Sequence, residues 1–301
     1  MNFNFNLNII GRRKFFYRVS AAILILGIGL LLFRGLNLGI DFRSGTLIEM
    51  DLKQAFTVAE VRDVVLPHFD KVQIREVRDG VAATTMVQIR TSEIDETKIT
   101  GAINALEAKW PEAVLESAAR VDAAFSVELV RNAAIALLLA SIGMVIYITL
   151  RFEFKFAISA VLALLHDVFM VLAVFSLLRI EINSEFIAAI LTIVGYSVND
   201  TIVTFDRIRE NLQKARRLTD VEGLVNRSIN ETLMRTINTS LTTLLAIGAV
   251  LIFGGVTLRP FALALVIGIL VGTYSSIFVA SSLWVDWQDR ASTGKVEPKR
   301  A

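Results

Sequence analysis

Long apolar runs alternate with charged segments along this chain, and they predict six membrane-spanning helices. Each run is close to the ~20 residues that an α-helix needs to cross a hydrocarbon core of ~30 Å. None shows the alternation of a barrel strand, so only helices would satisfy their backbone hydrogen bonds inside a bilayer. The predicted spans cover residues 15–33, 133–150, 156–178, 186–205, 236–258 and 261–285.

The distribution of Lys and Arg predicts which side of the membrane each connection faces. The short outer connections carry only Arg179 and Arg259, so both termini are expected to be cytoplasmic. The basic excess lies where membrane insertion would place it, and a nucleic-acid-binding face is not expected. The basic residues of the cytoplasmic side are Arg12, Arg13, Lys14, Arg18, Arg151, Lys155, Arg207, Arg209, Lys214, Arg216, Arg217, Arg227, Arg235, Arg290, Lys295, Lys299 and Arg300.

The spans and their connections predict one membrane domain with a single large insertion. The first helix is expected to remain as an anchor, because no small-x-small cleavage site follows it. An amphipathic helix at about 219–235, opened by a Thr219–Glu222 capping box, is expected on the cytoplasmic surface. The expected order is a cytoplasmic tail (1–14), the first helix (15–35), an extracytoplasmic domain (36–131), helices two to six (132–286) and a cytoplasmic tail (287–301).

The inserted segment carries the alternating periods of a small α+β domain. Thr57-x-x-Glu60 predicts a helix capping box, and Asp79-Gly80 predicts a hairpin turn. The βαββαβ order is that of a ferredoxin-like fold, which serves many functions and indicates none by itself. The predicted fold is an all-α six-helix membrane bundle with this ferredoxin-like domain inserted on the extracytoplasmic side. Its predicted strands are 46–52, 71–78, 84–91 and 113–122, and its predicted helices are 57–67 and 95–110.

Asp200 is the only charged residue of the fourth predicted span, and it lies deep within it. An unpaired ionised carboxylate at that depth costs at least ~2.5 kcal/mol, so it indicates a functional site. Ser197, Asp200, Thr201 and Thr204 lie at i, i+3, i+4 and i+7 and form a polar stripe, with Asn199 beside them. The hydroxyl groups of this stripe would equally serve to hold helices together.

The fifth predicted span repeats this spacing with Arg235, Asn238, Thr239 and Thr242, starting from its cytoplasmic end. The two stripes are expected to face each other and to bury their polar atoms together. If helix packing changes the distance from Asp200 to Arg235, the carboxylate would bind a proton in one arrangement and release it in another. The alternative for Arg235 is a simple positive-inside anchor.

His166 and Asp167 form a second costly polar pair, near the middle of the third predicted span. They either belong to the same proton relay as Asp200 and Arg235 or form a structural pair that bonds to neighbouring helices. Two membrane aspartates also suggest an intramembrane aspartyl protease. However, His166-Asp167 and Asn199-Asp200 lack the Tyr-Asp and Gly-x-Gly-Asp contexts of those enzymes, so an enzyme is not expected.

The last predicted span contains small residues at four-residue spacing, namely Gly268, Gly272 and Ser276. Such a ridge allows another helix to approach closely, so these positions predict helix packing. The chain has no Cys, no Walker motif, no dinucleotide fingerprint and no metal-ligand cluster in its sequence. Neither ATP nor a cofactor nor a metal is therefore expected.

Five long stretches, in a fixed order, carry a specific resemblance. They are LNLGIDFRSGT (36–46), YITLRFEFKFAISAVLALLHDV (147–168), VGYSVNDTIVTFDRIRE (194–210), ETLMRTINTSLTTLL (231–245) and GGVTLRPFALALVIGILVGTYSSIFVA (254–280). Together they make the chain resemble the SecF family of the bacterial protein-export machinery, which is of the proton-driven resistance-nodulation-division type. The resemblance covers nearly the whole chain and is weakest in the inserted domain and the tails.

The resemblance implies a protein of the bacterial inner membrane, surrounded by lipid, with SecD and the SecYEG channel as partners. It would use the proton motive force to help pull secreted polypeptides out on the far side. A proton crossing about 100 mV releases ~2.3 kcal/mol, which is adequate for such work. Six helices are half of the arrangement usual in this superfamily, so SecD should supply the other half. A half-transporter for a lipid or a small molecule is the alternative.

The resemblance also assigns residues. Asp200 matches the essential membrane carboxylate of the family, and Arg235 matches its functional arginine. Gly39, Asp41 and Gly45 match the motif that follows the first helix, although one glycine of the usual pair is replaced. Asp41 is expected either to serve that motif's function or to stabilise a turn.

Overall fold

A computed structural model describes residues 7–43, 45–70, 72–77, 85–121, 123–215, 220–255 and 258–293. Within these ranges, six helical segments are long and apolar enough to cross a membrane. The spanning helices are α1 (Arg13–Arg34), α5 (Ala123–Arg151), α6 (Phe154–Leu178), α7 (Ser184–Lys214), α8 (Val221–Phe253) and α9 (Arg259–Ser275), which continues through a π-helical turn (Ser276–Ala280) into α10 (Ser281–Thr293). The predicted six spans are therefore confirmed.

The connection between α6 and α7 is short, and local interactions fix where α6 ends and where α7 begins. Arg179 ends α6 in the left-handed conformation, with φ of 55°. Asn183 caps α7, since its side-chain oxygen accepts a hydrogen bond from the Phe186 N–H at 3.2 Å. Inside the bundle, α6, α7 and the span that contains α9 have about half of their residues buried, whereas few residues of α1, α5 and α8 are buried.

Three of the described helices, α5, α7 and α8, extend well beyond their apolar runs. α5 begins at Ala123, and α8 joins the fifth span and the predicted amphipathic helix at 219–235 into one continuous helix, which corrects the prediction of two. No Pro interrupts α8, so nothing in its sequence forces a break. Thr219 lies outside the described residues. The N-cap is Asp220, whose carboxylate accepts from the Gly223 N–H at 2.7 Å, and not Thr219 as predicted.

A four-stranded sheet with two helices lies between α1 and α5 in the chain. Neighbouring strands are antiparallel and follow the order β3 (Val72–Val77), β4 (Met86–Thr91), β2 (Gly45–Asp51) and β5 (Val114–Val121). The capping box of Thr57 and Glu60 is confirmed, and Asp79-Gly80 lies outside the described residues. The elements are β2 (Gly45–Asp51), α3 (Val58–Val65), β3 (Val72–Val77), β4 (Met86–Thr91), α4 (Glu96–Lys109) and β5 (Val114–Val121), each within two residues of its predicted bounds.

One face of this sheet forms a core with α3 and α4, because its side chains alternate between the two faces. Ile48, Met50, Val61, Ile89 and Leu106 are fully buried there. The opposite face of the sheet is turned toward the connection between α6 and α7.

Elements as short as two to four residues were not predicted, since so few residues carry no periodic signal. β1 (Asn37–Leu38) pairs in parallel with β6 (Glu181–Ile182), and α2 (Ile40–Arg43) follows β1. The pair joins the segment that leaves α1 to the α6–α7 connection. We call this end of the bundle the domain end.

At the opposite end, the N-terminal segment packs against α8 and α10. Asn226 of α8 accepts hydrogen bonds from the backbone N–H groups of Ile9 and Ile10 at 2.8 and 2.9 Å. Arg13 forms ion pairs with Glu222 at 2.5 Å and with Asp286 at 2.8 Å. The starts of α1 and α8 and the middle of α10 therefore lie together.

Candidate functional site

Asp200 lies inside the bundle, with 2% of its surface exposed. Its carboxylate interacts with the Ser240 hydroxyl and, electrostatically, with the Arg235 guanidinium, both carried by α8. The carboxylate oxygen Oδ2 has no hydrogen-bond partner among the described residues. A buried acceptor without a partner is costly, and protonation of the carboxylate removes its charge. The arrangement therefore suits a group that takes up and releases a proton.

The two threonine hydroxyl groups of the predicted α7 stripe are satisfied within the helix itself. Ser197, Thr201 and Thr204 are buried with Asp200. Thr201 donates to the Ser197 carbonyl at 3.0 Å, and Thr204 donates to the Asp200 carbonyl at 3.2 Å. Asn199 is exposed on the other side of α7 and does not join the buried stripe. The threonines thus provide a polar surface beside the acid without donating to its carboxylate.

Asp167 is the centre of a second buried network, which joins three helices. Its Oδ2 accepts from Ser197 of α7 at 2.6 Å and from Ser275 of α9 at 2.7 Å. Its Oδ1 lies 3.0 Å from Nδ1 of His166, whose ring stacks on Tyr274 with centroids 6.2 Å apart. The side chain of Asp167 is completely buried. A carboxylate with three polar partners is well satisfied, as expected of a pair that bonds to neighbouring helices.

The four predicted relay residues therefore fall into two networks. Asp200 and Arg235 belong to one, while His166 and Asp167 belong to the other, and no hydrogen bond joins the two aspartates among the described residues. The proton-sharing dyad of an aspartyl protease is not formed. The described residues also contain no group of three His, Asp or Glu side chains that could hold a metal ion.

The predicted facing of the α7 and α8 stripes is wrong for part of α8. Asn238 and Thr242 are exposed, and Thr239 donates to the Arg235 carbonyl of its own helix at 2.6 Å. Arg235 is exposed as well, although its charge still acts on Asp200. A different set of α8 residues faces inward, namely Ser228, Thr232, Thr236 and Ser240. Because α8 is polar on more than one face, its periodicity alone did not select the buried one.

Sequence reasoning missed Ser240 as a partner of Asp200. Ser240 also shares a hydrogen bond of 2.6 Å with Thr273 of α9, so the site involves three helices. The signal that would have found it is the four-residue repeat of hydroxyl residues, which starts at Ser228 and continues along one face of α8.

The small residues of α9 lie against α7. A Cβ at Gly268 would overlap the Ile193 side chain, and a Cβ at Gly272 would lie 3.1 Å from the Ser197 Cβ. The close approach brings Ser275 within reach of Asp167. Ser276 is buried at the start of the π-helical turn, where it donates to the Thr273 carbonyl at 3.1 Å. The ridge therefore sets the spacing between α7 and α9.

The motif after the first helix lies at the domain end. Gly45 has φ of +129°, and a Cβ there would overlap the Thr91 carbonyl, so only glycine fits. A Cβ at Gly39 would lie 2.9 Å from the Ile182 carbonyl oxygen. The Asp41 carboxylate accepts from the Ser184 N–H at 2.7 Å and so caps the first turn of α7. The residue between Arg43 and Gly45 lies outside the described part of the chain.

Comparisons with known proteins give a consistent family. Residues 102–290 match the family "Protein export membrane protein SecD/SecF, C-terminal", and residues 29–55 match the "SecD/SecF GG Motif". The SecF translocase subunit of Alicyclobacillus acidocaldarius is 40% identical, with 94% of each chain covered. That of Thermodesulfovibrio yellowstonii is 43% identical, over 92% of this chain and 93% of its own.

Longer SecDF proteins match as well, and this chain spans about two fifths of their length. It covers 38% of the Bacillus subtilis SecDF translocase subunit, with 38% identity over 93% of this chain. A crystal structure of SecDF from Thermus thermophilus matches with a TM-score of 0.86 and 37% identity, over 95% of this chain and 39% of that one. SecDF in a super-membrane-facing form matches with a TM-score of 0.71 and 36% identity, over 98% and 40%.

These relatives are named as protein translocase subunits and not as enzymes, which favours protein export over the half-transporter alternative. The likeness extends over nearly the whole chain in both sequence and structure. The described residues contain six helices able to cross a membrane, and the relatives are SecF subunits, so the chain is a multi-pass protein of the inner membrane. It belongs to the SecD/SecF family of protein-export membrane proteins, as a SecF-type member.

Proposed function

We propose that this chain is the SecF-type half of a SecD–SecF unit that uses the proton motive force to promote polypeptide export. The observation that carries the proposal is the buried Asp200 carboxylate, which has an unpartnered Oδ2 atom and a cation, Arg235, on the adjacent helix. The SecDF relatives contain both halves in one chain, of which this chain spans about two fifths. A separate SecD-type chain would supply the missing half.

The proton step would depend on the distance between α7 and α8. When Arg235 lies near Asp200, its charge stabilises the carboxylate and favours release of the proton. When the two helices move apart, the buried acid is left without that charge, and the neutral form is favoured. Each proton that crosses about 100 mV supplies ~2.3 kcal/mol for the accompanying movement.

The outward face of α8 supports a partner inside the membrane. Asn238 and Thr242 are exposed on this face, and Arg235 lies on the same side. The Thr242 hydroxyl already donates to the Thr239 carbonyl of its own helix. The amide of Asn238 is poorly satisfied by lipid tails, whereas a neighbouring helix offers it hydrogen bonds. We assign this face to contact with the SecD-type half.

The proposed topology has both termini in the cytoplasm and residues 36–131 as a ferredoxin-like domain on the extracytoplasmic side. The basic connections support the orientation. The antiparallel strand order β3-β4-β2-β5, with a helix after β2 and after β4, supports the fold assignment. In this orientation the domain is placed where a polypeptide leaves the SecYEG channel.

The decisive experiment replaces Asp200 with Asn, which keeps the shape of the side chain and removes its ability to release a proton. Proteoliposomes would contain SecYEG, the SecD-type partner and either the wild-type chain or Asp200→Asn. We expect the variant to assemble normally and to lose the stimulation of secretion by an imposed proton gradient. Asp206→Asn is a matched control, because Asp206 is exposed on the same helix. Full stimulation with Asp200→Asn would refute the proposal.

A further inference from the structure

The start of α7 is tied to the segment that leaves α1. The backbone N–H of Gly39 donates to the Ile182 carbonyl at 2.7 Å, which extends the parallel pairing of β1 and β6. Asn37 donates through its side-chain amide to the Arg179 carbonyl at 3.0 Å. Gly39 has no Cβ, and a Cβ there would collide with the Glu181 carboxylate at 2.9 Å. The two segments therefore fit closely.

Asp41 adds a bond to the helix itself. Its Oδ2 accepts the Ser184 N–H at 2.7 Å, while Asn183 accepts the Phe186 N–H one half-turn later. The first turn of α7 is thus capped by two side chains: Asn183, which directly precedes the helix, and Asp41, which lies in the segment before β2. A carboxylate at a helix N-terminus is also favoured by the helix dipole. Asp41 therefore holds the end of α7, which is more than the turn stabilisation considered from sequence.

Glu181 ties the same place to the sheet. It forms an ion pair with Arg90 of β4, and Arg75 of β3 lies 3.7 Å from its second oxygen. The side chains of Arg90 and Glu181 are largely buried, which shields this pair from solvent. The inserted domain therefore contacts the start of α7 through two interactions, the hydrogen bond between Asp41 and Ser184 and the ion pair between Arg90 and Glu181. We call the group of Asp41, Ser184, Glu181, Arg90 and Arg75 the clasp.

We propose that the clasp couples the orientation of the inserted domain to the position of α7, so that Asp41 and Glu181 are positioning residues for the proton site. The inference rests on the proposed role of Asp200. Ser184 and Asp200 belong to one uninterrupted helix, sixteen residues apart, or about 24 Å along its axis. A helix transmits a shift or rotation of its end along its length. Movement of the domain would therefore change the distance between Asp200 and Arg235.

The first test compares two substitutions of Asp41 in the full chain with its SecD-type partner. Asp41→Ala removes the acceptor, and we expect it to lower proton-driven secretion by at least about fivefold, the equilibrium equivalent of a typical helix cap. Asp41→Asn keeps an oxygen that accepts the Ser184 N–H, and we expect it to retain most of the activity. If Asn proves as inactive as Ala, the carboxylate has a charge-dependent role and the capping role is wrong.

The second test restores the clasp by a covalent bond. Leu38 and Ile182 lie opposite each other in the β1–β6 pair, where neighbouring strands are about 4.8 Å apart, a spacing that accepts a disulfide. The natural chain has no Cys, so Leu38→Cys with Ile182→Cys creates a single defined bond. Added to Asp41→Ala, the pair should restore secretion when oxidised and not when reduced. Continued inactivity after complete oxidation would overturn the coupling.

Control variants separate this inference from the proposed function. Copurification with the SecD-type partner shows whether each variant is folded and assembled. Glu181→Gln removes the negative charge that pairs with Arg90 and Arg75. We expect this variant to lose proton-driven secretion, as Asp41→Ala does. Asp200→Asn is measured in parallel. If it is inactive while Asp41→Ala is fully active, only the coupling fails; if it is fully active, the proposed function fails whatever the clasp variants do.

Discussion

Replacing Asp167 with Ala should destabilise the bundle strongly, in contrast to Asp200→Asn. The substitution removes the contacts of the carboxylate with Ser197, Ser275 and His166, and it leaves buried donors without their acceptor. Side-chain hydrogen bonds inside membranes contribute ~0.6 to 1.7 kcal/mol each, so three of them amount to about 2 to 5 kcal/mol. Asp200→Asn removes the charge of a carboxylate whose Oδ2 atom has no hydrogen-bond partner among the described residues. This substitution should therefore leave stability nearly unchanged.

The assay is thermal unfolding of the purified chain in detergent, followed by loss of helical circular dichroism. Asp206→Ala is the matched control, since this residue is exposed on α7. A double-mutant cycle of Ser197→Ala and Ser275→Ala tests the network directly, because both hydroxyls donate to one oxygen and their effects should not add. A loss below about 0.5 kcal/mol for Asp167→Ala would show that the network is not structural.

Three further predictions concern other parts of the molecule. Thr57→Ala should lower the stability of the inserted domain by about 1 kcal/mol through loss of the capping box, measured by hydrogen exchange in α3. Gly268→Val should separate α9 from α7 and reduce both the melting temperature and secretion, whereas substitution of the uncrowded Gly248 to Ala should change neither. A hydrogen bond from Lys53 holds the pKa of Asp51 below its ordinary value, so this residue stabilises the folded domain above about pH 4 and loses that contribution as the pH falls further. The protection factors of the β2 amides, which are corrected for the intrinsic exchange rate at each pH, should fall on acidification below about pH 4, and Asp51→Asn should weaken this dependence.

The strongest periodic signals were sufficient for most of the fold. Apolar runs located all six spans, and the capping box of Thr57 located the start of α3. The boundaries of α8 were not predictable in the same way. The first part of α8, up to about Arg235, is amphipathic and the remainder is apolar, so the sequence predicted two separate helices although the backbone is continuous. Apolar residues indicate burial in lipid or protein. They do not show whether the backbone hydrogen bonds of a helix continue from one segment into the next.

The sequence singled out the buried acid of the candidate site but not all of the residues that surround it. Asp200 could be singled out because a charge deep in an apolar run is costly wherever the helix packs. Ser240 and the clasp could not, because both depend on which helices meet. The bond from Ser184 to Asp41 joins residues 143 positions apart, and neither residue type is unusual at its place in the sequence. Such contacts follow from packing alone.

The most direct test of the central claim is to measure whether Asp200 changes its protonation state while the complex secretes polypeptide. Infrared difference spectra of the reconstituted complex, recorded with and without an imposed proton gradient, report the C=O band of a protonated carboxyl group. We expect a band that changes with the gradient during secretion and is absent in Asp200→Asn. A gradient-dependent band that persists in Asp200→Asn, or secretion with no such change in the wild-type chain, would contradict the account.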